Sequence, residues 1–207
     1  MSSTAPRTRT RKAPAERAAE IVAAATAIAR ENGLSALTLR AVAERVGVAS
    51  GLIAHYQRSM DDLVATVYTD LVEEEIGDIR ALLRTETDSV AGMRLLLRTL
   101  LDGSREDITV VWVEGWALAR RNESLARAVR AQMSAWQQLL ADAIDAGRTD
   151  GVFQTENTHD VAWQLMGMID GINAQSLVRD VDPATALTQL RRAAETLLGA
   201  VPGALAD

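Results

Sequence analysis

Cysteine is absent from the 207 residues, so neither a disulfide framework nor a thiolate zinc site is available, which fits a reducing compartment. The two histidines, His55 and His159, lie in no metal-ligand spacing and beside no nucleophile pattern. No Gly-rich phosphate loop is found either, so a non-enzymatic chain is expected, with no cofactor and no metal. No apolar run approaches the ~20 residues that cross a bilayer. The basic N-terminus leads into an Ala/Glu/Arg amphipathic pattern rather than a signal-peptide core, and a cytoplasmic protein without a membrane partner is expected. Aromatics make up only 3% of the chain, so the placement of its four tryptophans is informative.

A hydrophobic content of 48% over this length supports a substantial buried core in one domain or two small ones. The net charge of -6 argues against nucleic acid until it is divided along the chain. Residues 1–58 hold nine Lys and Arg against four Asp and Glu, whereas residues 59–207 hold 13 against 24. A basic head on an acidic trunk implies DNA binding through a few well-placed, salt-sensitive contacts.

Strand signals are few and helical periodicity is frequent, so the chain reads as all-α with about nine helices. Residues 1–13 alternate Arg and Thr without apolar periodicity and read as a disordered basic arm, either lying along DNA or simply solvated. Ala18, Ile21, Val22, Ala25, Ile28 and Ala29 stripe a first helix that ends near Asn32, with Gly33 as the stop. Leu39, Val42, Ala43 and Val46 then recur at i, i+3, i+4 and i+7 behind Thr38, a capping residue, and Gly47 suits the left-handed turn that ends this second helix. A third helix must start almost at once. Val48 and Ile53 join the core while Ser50, Gly51, Ala54 and His55 face outward, the layout of a helix-turn-helix.

Ser59 to Asp62 opens a long fourth helix carrying Leu63, Val64, Val67, Tyr68, Leu71 and Val72. Further helical runs follow at about 89–102, 105–121, 122–147, 158–179 and 184–199. Breaks fall at Gly103, at Asn122, from Gly147 to Asn157, and at Asp182 with Pro183. In 158–179, Val161, Leu165, Met168 and Ile172 line one face and Trp163, Met166, Gly167 and Asp170 another. Two apolar faces need two covers. One cover is the chain's own core and the other a second copy, in a two-fold dimer that includes the stripe Leu187, Leu190, Ala194, Leu197 and Leu198; the alternative is a monomer whose interior takes both.

A three-helix unit at 14–58 ahead of a helical body at 59–207 resembles the TetR family of regulators. The resemblance spans the chain and rests most specifically on Thr38-Leu-Arg-Ala-Val-Ala-Glu-Arg-Val-Gly-Val-Ala-Ser-Gly-Leu-Ile-Ala-His-Tyr56 followed by Ser59-Met-Asp-Asp-Leu63. Gly51-Leu-Ile-Ala-His-Tyr56 is most similar to the choline-responsive BetI-like branch, with weaker similarity at Trp112-Val-Glu-Gly-Trp116 and Met168-Ile-Asp-Gly171. Gln57 replaces a usual aromatic, Met60 a usual phosphate-binding Lys, Ala49 a common capping Ser and Ala54 a common aromatic. Arg58 offers one compensating charge.

The resemblance implies a homodimeric, ligand-responsive repressor of a palindromic operator on double-stranded DNA. The alternative is a dimeric small-molecule-binding protein with weakened or lost DNA binding. Helix-turn-helix geometry brings Ser50, Gly51, Leu52 and His55 to base edges, and Thr38, Arg40 and Tyr56 match family positions that contact phosphates. In the body, Trp112 and Trp116 share one helical face, and with Trp136, Trp163 and Met166 they suit an aromatic wall. Glu114 and Asp170 supply carboxylates, and the set suits a small cationic effector; the alternative is ordinary core packing. Glu73-Glu-Glu75 reads as a solvated helix face. Gly167 and Gly171 each cost a helix about 1 kcal/mol against Ala, so close helix approach or ligand room is expected to compensate.

Overall fold

Side-chain caps start most of the expected helices. In the computed structural model, residues 13–57 and 59–206 are described, and they hold nine α-helices and no strand. These are α1 (Pro14–Asn32), α2 (Leu39–Val46), α3 (Ser50–Tyr56), α4 (Met60–Leu83), α5 (Ser89–Leu101), α6 (Glu106–Ala119), α7 (Glu123–Thr149), α8 (Thr158–Ser176) and α9 (Pro183–Leu198). A single 3-10 turn, Leu34–Ala36, joins α1 to α2. The basic arm, but for Ala13, and Arg58 lie outside the described residues.

Thr38 Oγ1 accepts from the Ala41 N–H at 3.1 Å, Ser59 Oγ from Asp62 at 3.1 Å, and Asp182 Oδ2 from Thr185 at 3.0 Å with Pro183 in the first turn. Each such cap stabilises its helix by about 1 kcal/mol. Gly47 takes φ 72° and ψ 40°, the left-handed cap that lets α3 follow α2 within three residues. Ile21, Ala25, Ile28 and Ala29 of α1 close over Val42, Ala43 and Ile53, whereas Ala18, expected on that stripe, is exposed.

In the body, the long helices α4 and α7 pack along each other, and α7 also touches α5, α6 and α8. Asn122 Nδ2 donates to Asp61 O at 3.2 Å and Ser124 Oγ to Asp62 at 2.6 Å, pinning the start of α7 to the start of α4. The break expected at Gly147 comes later: α7 runs on to Thr149, and Gly147 makes room for Phe153, whose Cδ2 would lie 2.1 Å from an added Cβ. The glycine signal was one of close packing rather than of a stop. Similarly, α8 ends at Ser176, short of the expected 179. No helix among the described residues is long and apolar enough to cross a membrane.

Gly115 lets α6 approach α4, since a Cβ there would stand 2.7 Å from Tyr68 Cε2, on a ring that is completely buried. Gly115→Ala is expected to lower stability by a net ~1–2 kcal/mol in urea denaturation, the clash outweighing a helix-propensity gain of at most about 1 kcal/mol.

Candidate functional site

The three N-terminal helices present the expected outward face. Thr38, Arg40, Gly51, Ala54 and His55 are exposed; Ser50, Leu52 and Tyr56 are half-buried; Ile53 alone of α3 is buried. The His55 and Tyr56 rings meet edge to face with centroids 5.3 Å apart. Space around Gly51 is open, so a duplex backbone or base edge can approach the main chain there. Arg45 makes a two-toothed ion pair with Glu31 of α1 at 2.5 Å, fixing α2 against α1. At the end of α3, Gln57 Nε2 donates to Ser59 O at 3.0 Å, and Met60 is half-buried against the core.

The body contains a cavity of about 50 Å³ between α4, α5, α6, α7 and α8. One water needs roughly 10–15 Å³ on this measure, so the space holds a few waters or one compact organic group. Trp112 and Trp116 of α6 and Trp136 of α7 line it, with Met133, Met166 and Ile169. Trp112 meets the Tyr68 ring edge to face at 5.5 Å and the Trp116 ring at 6.0 Å. Tryptophan faces around a small void form a surface that attracts cations.

Two carboxylates enter the same cavity. Glu75 is 7% exposed; its Oε2 accepts from Trp112 Nε1 at 3.1 Å and its Oε1 lies 3.7 Å from Arg105 Nη1. Burial pushes its carboxyl above the usual range, against the smaller opposing effects of Trp112 and Arg105. Asp170 is pushed up to about 6, first by burial and then by the charge of Glu75. Tyr68 is raised as well, by burial first and then by both carboxylates. The hydroxyl of Tyr68 and the indole N–H of Trp116 are buried without hydrogen-bond partners. Two acids and one guanidinium, that of Arg105, thus line the cavity.

Sequence reasoning missed Glu75. It continues the buried stripe of Leu71, Val72, Ile76 and Ile79, while Glu73 and Glu74 are exposed, so the α4 register held the signal that the charge run concealed. Two expected lining residues lie elsewhere. Glu114 points away from the cavity because it sits on the opposite side of α6 from Trp112 and Trp116, and it bonds Ser35 instead. Trp163 is 62% exposed and lies on the outer side of α8 with Gly167 and Met168, while Met166 and Asp170 turn inward. The expected division of α8 therefore changes: Val161, Leu165, Met166 and Ile169 are buried, and Met168 joins the outer face. Gly167 and Gly171 meet nothing of their own chain within 4 Å, so neither close packing inside the protomer nor the cavity accounts for them.

Residues 21–67 match the model for bacterial regulatory proteins of the tetR family, and residues 89–199, more than half of the chain, match the C-terminal domain of BetI-type transcriptional repressors. The chain belongs to the TetR family. Regulators of this family bind DNA operators and small-molecule effectors and act as dimers. This TetR-family chain is 29% identical over 107 residues to the HTH-type transcriptional regulator BetI of Stenotrophomonas maltophilia, covering 49% of the chain and 53% of that protein. It thus spans about half the length of that relative. It is 24% identical over 153 residues to the HTH-type transcriptional repressor KstR2 of Rhodococcus jostii, covering 72% and 74%. Its fold is that of a transcriptional regulator from Saccharomonospora viridis in complex with choline, with a TM-score of 0.71, 22% identity and coverage of 85% and 94%.

Proposed function

We propose that this TetR-family regulator is a homodimeric repressor in which residues 14–58 hold a palindromic operator and residues 59–207 bind a compact organic cation that releases it. The observation that carries the cation reading is that Glu75 and Asp170 line one cavity together with three tryptophans. The BetI-type match and the choline bound by the Saccharomonospora relative support the same chemistry. The outer groove of α8 and α9, lined by Trp163, Gly167, Met168 and Leu197, supports pairing with a second copy, since Gly167 leaves room for another helix to approach. We place the regulator inside the cell, in keeping with its cysteine-free chain, and assign no catalytic step to any residue.

For DNA, we assign base-edge contacts to Ser50, Gly51, Leu52 and His55, and phosphate contacts to Thr38, Arg40 and Tyr56. The half-sites of a dimer lie about 34–36 Å apart, one turn of the duplex. Effector binding acts by favouring a state in which the two recognition helices miss that spacing. Arg40→Ala is expected to weaken binding to all duplexes alike and to reduce the salt slope by about one unit, read by fluorescence anisotropy across a salt series. An unchanged slope counts against the phosphate role.

The effector reading is tested by calorimetry with choline, betaine and spermidine. Choline is expected to bind; betaine, whose own carboxylate meets two buried acids, and spermidine, too long for the cavity, bind more weakly. No heat with any of the three refutes the cation. Because Gln57 is turned onto Ser59 and Met60 onto the core, the second reading is a dimeric small-molecule-binding protein with weak DNA affinity. A gel shift with the promoter upstream of its own gene separates the two.

A further inference from the structure

Glu114 joins the effector cavity to the DNA-binding unit. On a helix turning about 100° per residue, Trp112 and Trp116 fall within ~40° of each other and Glu114 roughly 160–200° away. The tryptophans wall the cavity, and on the far side the Glu114 carboxylate accepts from the Ser35 N–H at 2.9 Å and the Ser35 hydroxyl at 2.5 Å. Both belong to the turn that feeds α2. Gly33 lies directly beneath the carboxylate: its φ is +81°, and an added Cβ would stand 2.4 Å from Glu114 Oε2. A second pin lies a few turns back, where Arg30 at the end of α1 reaches Asp107 of α6 at 3.4 Å and Glu74 of α4 at 2.7 Å. One rigid helix therefore carries the cavity wall on one side and the attachment of the DNA-binding unit on the other.

We propose that Glu114 is a positioning residue that couples the two sites, its clasp on Ser35 passing displacement of α6 to the turn that orients α2 and α3. The proposal rests on the reading that the cavity takes an effector. Exposed hydrogen bonds are individually weak, but this pair is charge-assisted and shares one carboxylate, so it holds a defined geometry rather than merely adding stability. Coupling between two binding sites is reciprocal, so a change made at the turn must be felt at the cavity.

That reciprocity allows a test on the full chain that needs neither effector nor operator. Gly33→Ala drives a methyl group into the Glu114 carboxylate, and amide hydrogen exchange across residues 108–116 is expected to rise several-fold. In the double variant Gly33→Ala with Glu114→Ala the clash is gone while the backbone strain at residue 33 remains, and exchange is expected to return to the wild-type rate. Equal exchange in the wild type and Gly33→Ala, or in the single and double variants, overturns the proposal. Ser35→Ala, exposed and mild, provides a second route if Gly33→Ala does not fold. With saturating choline, exchange at residues 33–38 is expected to change in the wild type, by less in Ser35→Ala, whose backbone N–H still donates to the carboxylate, and not at all in Glu114→Ala, while choline affinity stays within about threefold of wild type. Choline that protects the cavity and leaves residues 33–38 of the wild type unmoved also overturns it. If choline does not bind at all, the cation reading fails, and the Gly33→Ala pair still decides the coupling.

Discussion

Glu75→Gln is expected to weaken choline binding by roughly 100-fold, about 3 kcal/mol, in calorimetry at pH 7.5. The glutamine oxygen can still accept from Trp112 Nε1, so the local packing is kept and the lost quantity is one desolvated negative charge facing the ligand. Asp170→Asn is expected to give a comparable loss together with a different pH profile. The wild-type affinity should fall as pH drops through about 6, where Asp170 takes up a proton, and the Asn variant should flatten that part of the curve. Affinity in Glu75→Gln equal to wild type would remove the carboxylate pair from the effector site.

The same group makes a prediction about the ligand-free protein. A carboxyl raised on folding holds its proton more tightly in the native state, so its contribution favours the fold below its unfolded value near 4 and is lost as pH rises through about 6. Asp170→Asn should therefore raise the melting temperature at pH 7.5, by an effect on the order of 1 kcal/mol after allowance for solvent at the cavity mouth, and leave it unchanged near pH 4. Higher stability with lost binding is the expected signature of a charge kept for its ligand.

Gly167→Arg has the second large effect. Within the protomer the substitution meets open space on an exposed helix face, and replacing glycine there should favour α8 by nearly 1 kcal/mol. In the proposed dimer it would place a long cation in the groove beside Trp163, Met168 and Leu197. Sedimentation is expected to show a monomer, with operator affinity reduced by at least ~100-fold because the two half-sites are no longer joined. A variant that remains dimeric and binds DNA normally would place the interface elsewhere.

Much of the fold was legible in the chain because helix boundaries are local chemistry. Thr38, Gly47, Ser59 and Asp182 act through hydrogen bonds and backbone angles set within four residues, and each occupies its expected place. Gly147 misled because its partner, Phe153, folds back from beyond the helix. The cavity was legible only in part. Trp112, Trp116, Trp136, Met166 and Asp170 do converge, yet Glu114 was grouped with them by proximity in sequence, and Trp163 by a shared α8 face whose edge turns outward at that residue. Glu75 was overlooked because it stands in a run of acids whose other two members are exposed.

From the order of its residues alone, the chain determines about nine helices, a bend at Gly47 and a basic end on an acidic trunk, since caps, periodicity and charge need no distant partner. Which carboxylate is buried and which is left to hold Ser35 depends on where α4 and α6 meet, with Tyr68 lying against Gly115. Packing sets that rotation, and the cost of burying a charge then decides which acid can serve a cation.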